Sequence, residues 1–474
     1  MMNWNLSVER AARSKDRAPM RTALAMAVLL LAASFAPAQE VAVWMSSEDG
    51  AHQLSPGEPL TFEETPHARA AAIQIDLNET YQSMLGMGAS FEHATCYNLS
   101  KLPKAKRDEV IARLVDPQTG IGMNLMRLCI GTSDFAPLPY YTYDDMPEGE
   151  TDPKLEHFSI AKDREYVLPV IKTALEKNPD LLFFASPWSP PAWMKTKHQL
   201  GGGAIDPDHF PAYARYLLRY LGAYADEGVP IHAMTVQNEP HMVHPEYPTC
   251  YWQGEEQRDF FRDHLGPLFR EHDVATELWC WDHNWNNIEF PRTILRDDEA
   301  AQHVDGVAFH LYEGRVEAQS ELHEEFPQTP IYFTEGSTFR TWGACKTINI
   351  LRHWARSYNA WVILLDEARK PNSGPHSASA TCIELQDDLS VEYRFDYYMY
   401  GQFMKYIQRG AVRVASGPVE RRFAHVAFRN PDGSVVLVVA NASRSEEAFG
   451  VANGRRVFTT RLPGRSVATY RWMP

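Results

Sequence analysis

The sequence predicts a (β/α)8 barrel carrying an antiparallel β-sandwich side domain. Three observations point there. Between about residues 83 and 405, eight short apolar runs of strand length alternate with amphipathic helical segments. Several of these runs end in an acid, a His or a Trp, which is where a barrel carries its chemistry. Beyond residue 411 the helices stop, and closely spaced strands and turns replace them.

The N-terminus is set apart. Met20-Arg21 precedes an apolar run over 22–33, and Ala36-Pro37-Ala38 supplies a small-x-small cleavage signal. This pattern predicts a secretory signal peptide within 1–38, cut after Ala38. The run is too short for a comfortable membrane span. A secreted or periplasmic protein is expected, with no stable membrane insertion after cleavage. Residues 1–19 form a polar extension, or translation starts at Met20.

Residues 39–80 read as short strands over 41–45 and 71–77, separated by the turn signals Pro56-Gly57 and Pro59. Having no partners of their own, they are expected to join the sandwich. The barrel is assigned to 81–410. Its candidate strands are 84–90, 123–130, 181–186, 233–240, 277–282, 307–312, 331–335 and 360–365. Helices are expected over 104–115, 163–177, 211–227, 257–272 and 344–358. The clearest is 211–227, with Tyr213, Tyr216, Leu217, Tyr220, Leu221 and Tyr224 on one face. The sandwich is assigned to 411–474, with strands over 423–428, 434–440, 446–451, 456–462 and 466–472 and turns at Asn430-Pro431-Asp432-Gly433 and Asn453-Gly454.

Net charge is −15, with no basic run outside the extreme N-terminus, which argues against nucleic acid as a partner. The six Cys include no C-x-x-C pair, so zinc-knuckle and redox motifs are disfavoured. Mainly buried free thiols are expected, with room for one bridge. Oligomeric state is left open.

The chemistry converges on two glutamates. Glu239 ends the fourth run, Thr235-Val236-Gln237-Asn238-Glu239-Pro240, and Glu335 ends the seventh. Paired carboxylates at a barrel mouth fit glycoside hydrolysis. One must be protonated to release the leaving oxygen, and the other must stay ionised to attack the anomeric carbon. Pairing of both with rim Arg or Lys is the bland alternative. Trp188, His310 and Tyr312 add stacking surfaces and polar groups, and Asn238 is placed to meet a sugar hydroxyl.

Longer motifs carry a resemblance. Gly86-Met87-Gly88-Ala89-Ser90-Phe91, the stretch from Arg127 to Phe135, the Ser-Pro-Trp-Ser-Pro-Pro-Ala-Trp-Met-Lys run ending at Lys195, Gln237-Asn238-Glu239-Pro240 and Phe333-Thr334-Glu335 resemble glycoside hydrolase family 30 in order. So do Gly401-Gln402-Phe403 and Ile407-Gln408-Arg409-Gly410-Ala411. The resemblance implies a retaining β-glycosidase that needs no metal or organic cofactor. Glu239 matches its acid/base, Glu335 its nucleophile and Asn238 its contact to the sugar 2-OH. Trp188, Tyr312 and Trp361 match the lining of the sugar subsite, and Asp134 and His310 its binding or orienting residues. β-Glucosides are the expected substrates, as for glucosylceramidases, with β-1,6-glucan, β-xylosides and β-fucosides as alternatives. A carbohydrate-binding protein without catalysis is the rival from another class.

Two departures fall where substrates are distinguished. Glu92-His93 stands where the family often has Thr-Asp, and these two residues are candidates for the sugar's outer hydroxyls. Gly374-Pro375-His376-Ser377 replaces a Gly-Pro-Asn-Trp segment. His241, His244, Glu246 and His283 look superficially like metal ligands, but loop residues lining the cleft are the favoured reading. Gly201-Gly202-Gly203 lacks the ending of a phosphate loop and reads as a flexible insertion near the entrance.

Overall fold

A computed structural model describes residues 39–68, 72–375 and 380–474. The expected signal segment 1–38 and the His376-Ser377 pair lie outside the described residues. The barrel strands are β1 (Gly86–Ala89), β2 (Leu125–Ile130), β3 (Leu182–Pro187), β4 (Ala233–Thr235), β5 (Glu277–Asn284), β6 (Gly306–His310), β7 (Ile331–Glu335) and β8 (Ser357–Ala360). β2 to β7 form one parallel sheet in chain order, and β8 pairs in parallel with β1. Single bridges Ser90–Arg127, Ile331–Ala355 and Gly336–Ala360 join the two sheets and close the ring. β1 and β2 run so close that a Cβ on Gly88 would lie 2.1 Å from the Leu125 carbonyl oxygen, so this position needs glycine.

The barrel interior is layered. Leu125, Phe184, Ala233, Trp279, Ala308 and Tyr332 make an apolar cluster, with the Trp279 and Tyr332 rings 3.8 Å apart. Two residues further along five of these strands come Arg127, Ser186, Thr235, His310 and Thr334, all buried. Strand period therefore aims them at the same axis, one level nearer the strand ends. On β5 that period would present Trp281. A bulge between Trp281 and His283 shifts the register against β6 by one residue and presents Asp282 instead.

The helix over 104–115 is found as Lys104–Val115, and that over 211–227 as Phe210–Asp226. The segment 257–272 is helical but carries a π-turn at Phe261–Leu265. The expected helix over 344–358 is corrected to Arg340–Arg352, and the eighth strand moves from 360–365 to Ser357–Ala360. Ser357 and Asn359 are polar, so the stretch reads poorly as a buried strand. Backbone groups pair with both: Ser357 Oγ bonds the Phe333 amide and carbonyl, and Asn359 Nδ2 donates to the Leu125 carbonyl, leaving its Oδ1 without a partner among the described residues. The fourth strand also stops early, at Thr235, leaving Val236 to Pro240 as loop.

In the side domain Glu40–Ser47 pairs antiparallel with Ser466–Trp472. The long strand Ile73–Ser83 pairs antiparallel with Val412–Ala415 and parallel with Glu447–Asn453. Its core holds Val41, Ile73, Leu437, Val439, Phe458, Tyr470 and Trp472. Buried glutamines fasten barrel to sandwich. Gln402 Nε2 donates to Ser46 Oγ (2.8 Å), and its Oε1 accepts from Thr469 (2.6 Å). Gln82 Nε2 donates to the Leu351 and Ala355 carbonyls. All six cysteines are buried and free. Among the described residues no helix is long and apolar enough to cross a membrane.

The loop after β2 is pinned by Asp163. This buried carboxylate accepts from the hydroxyls of Tyr141 (2.5 Å), Tyr143 (2.6 Å) and Tyr224 (2.5 Å). Burial raises its affinity for protons, but His93 and the tyrosine donors outweigh that and lower its pKa. Its stabilisation is thus complete above the unfolded value of about 4 and is lost as pH falls through the folded value. Asp163→Asn should cost about 2 kcal/mol at pH 7. In chemical unfolding the gap between variant and wild type should be constant above about pH 4 and should narrow progressively as the pH is lowered from there.

Candidate active site

Above the polar layer lies a cavity of ≈ 450 Å³ at the strand ends. Asp134, Phe135, Trp188, Asn238, Glu239, Met242, Tyr247, Asn284, Tyr312, Glu313, Glu335, Ser337 and Trp361 line it. Of the residues singled out in the sequence, Glu239, Glu335, Asn238, Trp188, Tyr312, Trp361 and Asp134 therefore meet in one place. The Trp188 and Trp361 rings stack 5.2 Å apart. The Arg127 guanidinium sits 4.8 Å from the first and 5.7 Å from the second.

Three predicted residues stand outside that lining. His310 lies beneath it, between Glu239 and Asp282. Glu92 caps the helix His93–Lys101, and its Oε1 accepts from the Thr95 amide (2.9 Å) and hydroxyl (2.5 Å). Burial pushes its pKa up to about 8. His93 bonds Tyr141 Oη (2.9 Å) and lies 3.8 Å from Asp163. Glu92 is thus engaged as the helix cap and His93 with Tyr141. The Gly201–Gly203 segment is packed rather than a loose insertion: a Cβ on Gly201 would sit 2.2 Å from the Pro245 carbonyl oxygen. Buried Lys195 ties that segment to its neighbour by donating to the Leu200 and Thr249 carbonyls (both 2.6 Å).

The network below the cavity turns on two opposite charges. Asp282 Oδ2 accepts from Ser186 (2.7 Å), Thr235 (2.8 Å) and Arg127 Nη2 (2.9 Å). Its Oδ1 accepts from Thr334 (2.7 Å) and faces His310 Nε2 at 3.0 Å. Burial alone would raise the Asp282 pKa, yet Arg127, His310 and Thr334 hold it far below the usual range. Arg127 Nη1 donates to Glu335 Oε2, and Nη2 also donates to Asn238 Oδ1 (2.8 Å). Tyr312 donates to the other Glu335 oxygen (2.9 Å).

The two glutamates differ in their partners. Burial raises the proton affinity of Glu335, as does the Glu239 charge, while His310, Arg127 and Tyr312 oppose that rise. The guanidinium can only donate, so Oε2 is kept as an acceptor. Glu239 Oε1 faces His310 Nδ1 at 3.0 Å, and an imidazole nitrogen can give or take a proton. Burial would raise Glu239, but the charged forms of His283 and His310 hold it below the carboxylate range. His310 is lifted to about 9: burial works against it, and Glu335, Asp282 and Glu239 prevail. One proton is thus shared along the Glu239–His310 contact, carboxylate with imidazolium or acid with imidazole. Asp134, buried beside Glu335 and Glu239, is pushed well up. Backbone strain collects here as well: Glu239, Trp281 and Asp282 hold φ of 46°, 73° and 59°.

The sequence model of the glycosyl hydrolase family 30 TIM-barrel domain matches residues 84–369, and that of the family's β-sandwich domain residues 410–470. The chain belongs to glycosyl hydrolase family 30. It is a glycosidase of that family. It is 31% identical to an endo-1,6-β-D-glucanase of Neurospora crassa, over 89% of this chain and 92% of that one. It is 29% identical to the lysosomal acid glucosylceramidase of Mus musculus, over 84% and 83%. The solved structure of an endo-β1,6-glucanase superposes with a TM-score of 0.82 at 28% identity, covering 92% of this chain and 100% of that one.

Arg127 had a visible signal, a cation inside the apolar run Leu125-Met126-Arg127-Leu128-Cys129-Ile130. Arg127→Lys keeps the charge and loses the planar fork that reaches Glu335, Asn238 and Asp282 together. It should lower kcat/KM by about 10²-fold on any glycoside the enzyme accepts, measured beside a circular dichroism control for folding.

Proposed function

We propose that this chain hydrolyses β-glucosides with retention of configuration, through a glycosyl-enzyme intermediate. One observation carries the reading: Glu239 and Glu335 share a cavity, one facing a proton-exchanging imidazole and the other a donor-only guanidinium. Glu335 attacks the anomeric carbon as the bond to the leaving oxygen breaks, and Glu239 gives that oxygen its proton. Glu239 then takes a proton from water, whose oxygen attacks the same carbon and frees Glu335. Arg127 fixes Asn238 Oδ1, which leaves the amide N–H groups for the sugar 2-OH. The stacked Trp188–Trp361 pair provides an apolar wall for the ring.

The lining carries the carboxyl groups of Asp134, Glu239, Glu313 and Glu335 and no Lys or Arg, so a neutral substrate is favoured over an anionic one. The aglycone has two readings. A glucosylceramide-like glycolipid agrees with the mouse relative. A β-1,6-glucan has at least equal support, from the Neurospora relative and the solved glucanase. Action outside the cytoplasm, after removal of the N-terminal segment, completes the proposal.

Three measurements test it. Aryl β-glycosides, glucosylceramide and β-1,6-glucan assayed together identify the substrate, and NMR of the first-formed sugar must show the β anomer. Glu239→Ala should lose about 10²–10⁴-fold on poor leaving groups, and on an activated aryl glycoside azide should raise its turnover and yield the β-glycosyl azide. Glu335→Ala should be inactive and yield the α-glycosyl azide from an activated substrate. An α-sugar product, or exchange of the two azide outcomes, overturns the assigned roles.

A further inference from the structure

Glu239 has two imidazole neighbours, and the proton chemistry uses one. His310 Nδ1 lies 3.0 Å from Glu239 Oε1, with its Nε2 committed to Asp282. His283 Nδ1 lies 3.5 Å from the same oxygen. The residue is buried, and its Nδ1 has no hydrogen-bond partner among the described residues. The bulge on β5 that turns Asp282 inward also brings the next residue, His283, to the acid.

These three donor atoms lie within 4.8 Å of one another. In a tetrahedral site with bonds of about 2.0–2.1 Å, neighbouring donors sit roughly 3.3 Å apart. The two edges at Glu239, 3.0 and 3.5 Å, straddle that value, and the third is no longer than 4.8 Å. We propose that Glu239, His283 and His310 form a binding site for a borderline divalent cation, Cu2+ or Zn2+, and that occupancy inhibits the enzyme. Two imidazoles and one carboxylate suit such ions, whereas Mg2+ and Ca2+ prefer all-oxygen sets. Asp282 holds the far nitrogen of His310, as outer carboxylates commonly do for a metal-bound His. Glu239 lines the cavity, which gives the ion its entry and a solvent ligand for the fourth position. A metal on Oε1 withdraws the acid from the leaving group. This inhibition rests on the role proposed for Glu239, while metal binding itself does not.

The experiment uses EDTA-stripped full-length protein titrated with Cu2+, Zn2+, Mg2+ and Ca2+. Cu2+ EPR reports binding without turnover, and hydrolysis of an aryl β-glucoside reports inhibition. Wild type should take one equivalent of Cu2+ with coupling to two imidazole nitrogens. Cu2+ and Zn2+ should inhibit reversibly with EDTA, and Mg2+ and Ca2+ should not. His283→Ala and His283→Gln should each raise the half-inhibitory Cu2+ concentration at least about tenfold, relative to that variant's own metal-free rate. Unchanged inhibition and EPR spectra in both variants overturn the proposal. So does a wild-type spectrum with fewer than two coupled imidazole nitrogens, a result that needs no variant to fold. Should no β-glycoside be turned over, the EPR arm still decides the site, and the function proposed above fails separately.

Discussion

The contact between Arg127 and Asp282 governs this protein. Both side chains are fully buried at the barrel axis, 2.9 Å apart. A buried ion pair is tolerable only when its remaining hydrogen-bonding capacity is also filled. Here Ser186, Thr235, Thr334 and His310 fill it for the acid, and Glu335, Asn238 and the Trp188–Trp361 pair surround the base. Contributions from β2 through β7 meet in this one layer. The cleft glutamates Glu239 and Glu335 inherit their geometry from that layer, because each is held by a group whose other contacts are already fixed.

The layer exists because β5 breaks the strand period. A regular β5 would bury Trp281 at the axis and leave Arg127 facing an indole. The bulge places Asp282 there, at the cost of two consecutive left-handed residues, and Trp281 packs outward against Phe290 and His241. The Glu239 amide donates to the Asp282 carbonyl (3.0 Å), so the strained acid on the β4 loop is tied to the strained bulge on β5. Function and strain occupy the same few residues.

This division explains what could be read from the chain. The eight-unit barrel and the side domain were legible because apolar runs and turn residues repeat along them. Glu239 and Glu335 were legible because acids ending apolar strands contrast with what precedes them. β8 was not, since Ser357 and Asn359 look like loop until their backbone partners are seen. Asp282 ends the apolar run 277–282, but nothing in that run marks it as the residue that turns inward, because a bulge leaves no mark on a sequence. Glu92 and His93 sit at a strand end as well, but the helix cap engages the first and Tyr141 the second, which alternation cannot express.

Pairing of Glu40–Ser47 with Ser466–Trp472 joins the first described strand to the last. The barrel is thereby an insertion between two parts of one sandwich. During synthesis the early strands emerge with their partners still some four hundred residues away, and their apolar faces stay uncovered until the last strand appears. Loss of Ser466–Trp472 would therefore uncover both of its neighbours, leaving open sheet edges on Glu40–Ser47 and Val435–Asn441. The side domain works as a clasp that shuts only once Ser466–Trp472 has been made.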